Sequence, residues 1–113
     1  MLTTDELEQL AVGALEELKG NEITVVNVSE MTDVTSRLVI ASGTSNRHVR
    51  SLADQVAMAA KRAGILPLGK EGDESGEWVL VDLGDIVVHV MLPETRDYYN
   101  LEKFWADFSR EAE

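Results

Sequence analysis

Apolar and polar positions along this chain follow two different periods, and the clearest stretch is residues 78 to 92. Two apolar runs, Trp78 to Leu83 and Ile86 to Leu92, flank Gly84-Asp85. A two-residue Gly-X connection between such runs predicts a β-hairpin. The register that follows sets Leu83 against Ile86, Val81 against Val88 and Val79 against Val90. One face of the hairpin is then purely aliphatic and must be core. The other face carries Trp78, Leu80 and Asp82 opposite Met91, His89 and Val87. It is too apolar for open water and too polar for an ordinary core, so either the chain's own helices or a partner covers it.

Elsewhere the period is helical. Thr3-x-x-Glu6 has capping-box spacing, and Leu7, Leu10, Ala11, Ala14, Leu15 and Leu18 recur on one face, predicting a helix over about residues 4–19 with Gly20 as its stop. Ile23 to Val28 reads as a strand, and a polar loop with Thr32, Asp33 and Thr35 follows. Arg37 to Ser42 is nearly all apolar, as expected of an interior strand covered on both faces. Ser42 to Asn46 is a turn ending in N-cap residues. Val49, Leu52, Ala53, Val56, Ala60 and Ala63 then mark a second helix closed by Gly64. Residues 66–77, with Pro67, Gly69, Gly72, Gly76 and four acids, predict a long loop or a short edge strand. Pro93 suits the first turn of a short helix, and Asn100 can cap a last one with Leu101, Phe104, Trp105 and Phe108 on one face. The order α-β-β-α-β-β-α places the chain in the α/β class, as an α+β mixed sheet with flanking helices in one domain over residues 1–113. Residues 106–113 read as an extension of the last helix.

With 113 residues, a single domain can bury about two-thirds of its unfolded surface without metals or disulfides. Cysteine is absent, which excludes disulfides and thiolate metal sites and fits a reducing compartment. The N-terminus is polar and the apolar runs are strand-length, so neither a signal peptide nor a spanning segment is expected and the predicted location is cytoplasmic. Net charge is −11, from 21 acidic and 10 basic residues. Naked nucleic acid is thus a poor partner, whereas a basic protein, including one already seated on RNA, suits the chain. Acidity that only keeps the domain soluble is the plainer alternative.

The turn before the second helix is the best candidate for an anion site. Gly43 permits tight backbone, Thr44 and Ser45 supply hydroxyls, and a helix N-terminus presents free N–H groups. Arg47, His48 and Arg50 lie in the first turn, where the macrodipole disfavours cations, so they either hold phosphate or an acidic surface or pair with the chain's own acids. His48, Asp54, Asp82 and His89 form no recognisable catalytic or metal motif. His48 and Asp54 point about 120° apart around a helix, and neither H-E-x-x-H nor a G-x-S-x-G elbow is present. No cofactor or metal is expected. The acidic stretch Glu71 to Glu77 lacks the ligand alternation of a calcium loop, and reads as a solvated rim beside Trp78. Trp78, Tyr98, Tyr99, Phe104, Trp105 and Phe108 all lie in the last third. Phe104 and Trp105 are expected in the core, and Trp78 and Tyr99 at a surface where such rings dominate binding energy.

Four blocks in order, Ile40 to Val49, Gly72 to Trp78, Val81 to Asp85 through Val88 to Val90, and Arg96 to Trp105, resemble the ribosomal silencing factor (Iojap) family over nearly the whole chain. The resemblance implies a fold with nucleotidyltransferase-like topology and a homodimeric cytoplasmic protein that is not an enzyme. Such a protein binds the large ribosomal subunit through ribosomal protein uL-fourteen, blocks joining of the small subunit and lowers translation under nutrient limitation, without a membrane or sequence-specific nucleic acid. By position, Trp78, Tyr99 and Leu101 match the family's partner-facing apolar residues, with Glu71, Asp82, His89 and Arg96 as further partner-binding positions. The rival reading is a nucleotidyltransferase-like enzyme or nucleotide-binding module using Ser42-Gly43-Thr44-Ser45. It lacks the paired carboxylates that would hold Mg²⁺, since Asp82 and Asp85 flank a turn.

Overall fold

In the computed structural model, which describes residues 2–33 and 35–104, the first helix opens on its capping box. The Glu6 N–H donates to Thr3 Oγ1 at 3.1 Å, and the Thr3 N–H donates to Glu6 Oε1 at 3.0 Å. Two donors that a helix start leaves free are thereby satisfied. Helix α1 runs Thr4–Glu17. Its end departs from expectation: Lys19, not Gly20, takes the left-handed conformation, with φ 59°. Gly20 serves close packing instead. Its N–H donates to the Leu15 carbonyl at 2.8 Å, and a Cβ there would press on that same oxygen at 3.1 Å.

Strands β1 (Asn21–Asn27) and β2 (Arg37–Ser42) follow, then helix α2 (Asn46–Arg62), strands β3 (Gly69–Glu71), β4 (Trp78–Asp82) and β5 (Ile86–Met91), and helix α3 (Pro93–Tyr99). α2 starts at the predicted cap, where Ser45 Oγ accepts from the His48 N–H at 3.1 Å, and it ends before Gly64 at φ 86°. The strands form one sheet in the order β1-β2-β5-β4-β3, parallel only between β2 and β5. β2 is interior, which accounts for its unbroken apolar run: Leu38 to Ala41 are all buried. Residues 66–77 contribute a short edge strand between two loops, as one of the two predicted alternatives has it.

The hairpin takes the register its turn dictates. Val79 pairs with Val90 and Val81 with Val88, and the Leu83 N–H donates to the Ile86 carbonyl at 2.8 Å. The aliphatic face of these strands, with Val39 and Ala41 from β2, packs under α1 and α2. Leu7, Ala11, Ala14 and Leu15 enter from α1, and Val49, Leu52, Ala53, Val56 and Ala60 from α2, to make the core. Arg37 shares that sheet face and reaches Asp5 and Glu8 of α1. These pairs tie the helix to the start of β2 without adding much stability at a solvated site.

One expected core residue lies outside. Phe104 is 56 % exposed, although residues 101–104 are helical as predicted. Helical spacing fixes which side chains share a face but not whether a sheet lies beneath it. Here the turn leaves α3 through Asn100 at φ 47°, and only Leu101 and Glu102 are drawn inward. Trp105, Phe108 and the 106–113 extension fall outside the described residues. Among the described residues no helix is long and apolar enough to cross a membrane.

Candidate functional site

Strand alternation places Trp78, Leu80 and Asp82 of β4, Val87, His89 and Met91 of β5, and Ser42 of β2 on the sheet face away from α1 and α2. α3 covers part of that face. Arg96, only 7 % exposed, anchors it by donating from Nη1 to Ser42 Oγ at 3.0 Å, from Nη2 to Thr24 Oγ1 at 3.1 Å and from Nε to Glu102 Oε1 at 2.7 Å. One guanidinium therefore joins β1, β2, α3 and the helical turn after it. Of the two alternatives posed by the hairpin's second face, the chain's own helix accounts for part of the cover and leaves the rest open.

What remains is an aromatic cluster. The Trp78 indole is half-buried and donates from Nε1 to His89 Nδ1 at 2.9 Å. Its ring packs against Tyr99 with centroids 4.9 Å apart, and Tyr98 meets Tyr99 edge-on at 5.0 Å. Tyr99 is 54 % exposed and Tyr98 82 %. The cluster thus rises from a buried imidazole floor to an open rim, and such rings bury much area at little entropy cost when a partner arrives. Burial disfavours the charged imidazolium and pushes the His89 pKa down to about 4. Since an indole N–H only donates, Nδ1 must be the unprotonated nitrogen and the ring proton sits on Nε2.

The seven site residues named from the resemblance do not all meet. Trp78, His89 and Tyr99 form the cluster, and Arg96 is the buried anchor of the helix bearing Tyr99. Leu101 is half-buried one residue beyond Asn100. Asp82 stands at the far end of β4, where Oδ1 accepts the Gly84 N–H at 2.9 Å. Glu71 is exposed on the edge strand, in register with Leu80. Tyr98 joins the cluster without being one of the seven, and its position next to Tyr99 is the signal that could have found it. A groove beside it is lined by Glu77, Leu92, Glu94 and Thr95.

The acidic loop before Trp78 is held from behind. Arg50 donates from Nε to the Asp73 carbonyl at 2.8 Å and from Nη2 to the Glu74 carbonyl at 2.9 Å, and Asn46 Nδ2 reaches the Ser75 carbonyl at 2.7 Å. Arg50 is therefore engaged by backbone, neither by an acid nor by a free anion site. Gly72 makes the loop's return possible: it sits at φ 88°, and a Cβ would run into the Trp78 carbonyl. Gly72→Ala should cost about 2 kcal/mol through strain and displacement of this loop. A urea midpoint equal to wild type would show that the loop relaxes freely.

The turn before α2 spends its polar groups internally. Ser42 Oγ accepts from Arg96, Ser45 Oγ caps α2, and the Thr44 N–H donates to His48 Nδ1 at 2.9 Å, while His48 Nε2 lies 2.7 Å from the Leu18 carbonyl. A Cβ on Gly43 would meet Val49 at 2.8 Å, so this glycine is there for close packing. Arg47 is exposed and forms no ion pair among the described residues. Asp54 pairs with Lys70 at 2.6 Å, and among the described residues no three His, Asp or Glu side chains converge as a metal site would need.

Fold and site together describe a small acidic α/β domain with an aromatic patch on one sheet face. Residues 2–113 match the family described as "Ribosomal silencing factor during starvation", and the chain belongs to that family. It is 51 % identical over 100 residues to the ribosomal silencing factor of Chromobacterium violaceum, covering 88 % of this chain and 82 % of that one. It is 36 % identical over 99 residues to the mouse protein "Mitochondrial assembly of ribosomal large subunit protein 1", covering 85 % of this chain and 43 % of that longer one. A crystal structure of a Chromobacterium violaceum protein superimposes with a TM-score of 0.92 at 48 % identity, over 93 % of this chain and 88 % of that chain. One from Bacillus halodurans gives 0.82 at 39 %, over 89 % and 94 %.

Proposed function

We propose that this protein silences ribosomes by docking onto the large subunit through ribosomal protein uL-fourteen, where its bulk prevents the small subunit from joining and lowers translation under nutrient limitation. The observation that carries this reading is the Trp78–Tyr99–Tyr98 cluster, which the chain's own helix leaves open beside acidic Glu77 and Glu94. A net charge of −11 steers such a surface toward a basic ribosomal protein and away from bare RNA. The relative named for assembly of the ribosomal large subunit fits the same target. The role is steric and needs no catalytic group, cofactor or metal.

The proposal includes a cytoplasmic homodimer, for which a second apolar surface is available. Leu66 and Leu68, 77 % and 75 % exposed, flank a groove with Leu2 and Leu83 at the turn end of the hairpin. By strand rise this lies roughly 17 Å from Trp78, so docking and self-association do not compete for one patch.

Trp78→Ala and Tyr99→Ala should both remain folded yet lose about 2 kcal/mol or more of binding to large subunits. Co-sedimentation with purified large subunits measures this, and unchanged binding by both variants would reject the assignment. In a salt series the wild-type complex should weaken steadily as charge steering is screened.

A further inference from the structure

The floor of the aromatic cluster carries a polar group with no role inside the molecule. His89 Nδ1 is occupied by the Trp78 indole N–H at 2.9 Å. Nε2, which must carry the ring proton, has no hydrogen-bond partner among the described residues. Yet among these residues no side-chain nitrogen or oxygen is both sealed from solvent and unpartnered. Nε2–H therefore opens to the surface, although His89 as a whole is 8 % exposed. The ring lies 5.8 Å from the indole, and strand alternation puts His89 on the sheet face that bears Trp78, so this donor opens on the face that carries the cluster.

We infer that His89 Nε2–H is a recognition donor, locked in that tautomer by Trp78, and that it takes a neutral carbonyl oxygen from a segment of the docked protein. Resting on the docking reading above, this inference adds the polar contact that sets register on an otherwise apolar surface. A donor in a desolvated patch must find an acceptor when the partner excludes water, and a partner that offers none is rejected. The acceptor is neutral because Glu77 and Glu94 line the adjoining groove of a chain with net charge −11, a field that repels a carboxylate. Those two acids instead suit a Lys or Arg of the same segment. The partner's signature is thus an apolar side chain on the rings, a backbone or amide carbonyl over His89 and a cation toward the groove.

Two measurements decide this. Long-range ¹H–¹⁵N correlation on the free protein should report His89 protonated on Nε2 alone, with Trp78→Phe, which removes the indole donor, relaxing it to a tautomer mixture. Binding to purified large subunits then separates the roles. His89→Gln, which keeps an amide acceptor for the indole and an outward donor, should bind more tightly than His89→Leu, which has neither. Histidine methylated on Nε2 at position 89, which keeps the acceptor for Trp78 but loses the donor, should bind at least tenfold more weakly. A proton on Nδ1, or undiminished binding by the methylated protein while Trp78→Ala fails to bind, overturns the inference and leaves the docking reading standing. Undiminished binding by both Trp78→Ala and Tyr99→Ala overturns the docking reading itself.

Discussion

Arg96→Met should destabilise the protein by about 3 kcal/mol, because it removes a buried guanidinium that bonds three groups while keeping the apolar stem. The guanidinium is the meeting point of Thr24, Ser42 and Glu102, and with it gone Glu102 is left half-buried without its cation. α3 has few other holds. It spans seven residues and its N-cap, Leu92, provides no side-chain bond. A helix of that length does not persist without tertiary anchors. Tyr98 and Tyr99 ride on its last turn, so the variant should also bind large subunits more weakly, through a loosened patch and not a missing contact. Urea unfolding with the slope checked for two-state behaviour gives the first effect, and co-sedimentation the second. A loss under about 1 kcal/mol with binding intact would mean that the packing of Leu92 and Tyr99, not the clamp, holds α3 in place. Arg96→Lys should recover little, since a single ammonium cannot reach three acceptors on different elements.

That clamp marks the boundary of what the linear sequence discloses. The hairpin register, both helix starts and the interior place of β2 follow from local rules: a Gly-X turn, capping residues and an unbroken apolar run. The position of Trp78 on a face unlike ordinary core is legible for the same reason, since alternation assigns faces without knowing the fold. Arg96 gives no such signal. A lone arginine in a polar helix reads as solvated, and only its three partners, up to 72 residues away, reveal a buried hub. Arg50 and His48 mislead in the same way. Cations in the first turn of α2 suggest an anion, whereas each is committed to backbone groups of neighbouring segments. Phe104 fails by geometry, because helical spacing fixes which side chains share a face and not how deep that face sits in the fold. The family resemblance supplies candidate site residues that spacing could not, and the fold sorts the seven into a partly open cluster of Trp78, His89 and Tyr99, a buried anchor in Arg96, the half-buried Leu101 and two outlying carboxylates.

His89 should make the protein's stability depend on pH in a window set by burial. Unfolded, its imidazole titrates near 6.5, while in the folded protein the pKa is pushed down to about 4. Between those values the unfolded chain binds a proton that the folded chain refuses, so stability rises with pH across the window. The contribution is complete above the unfolded pKa and is lost progressively as pH falls to the folded one, by about 3 kcal/mol in all. Carboxylates add to the same slope. Glu6, held below its ordinary value by the Thr3 cap bonds, also loses stabilisation as it protonates. The measurement that isolates His89 is therefore a difference: unfolding free energies of wild type and His89→Gln from pH 7 to 4. The substituted amide accepts the indole N–H without titrating, so the wild-type curve should fall relative to the variant's throughout the window. Parallel curves would show that the imidazole is not held neutral by burial. The same physics bears on docking. A neutral His89 keeps Nδ1 able to accept the Trp78 indole N–H down to the bottom of that window, so binding to large subunits should weaken only where the floor itself takes on a charge.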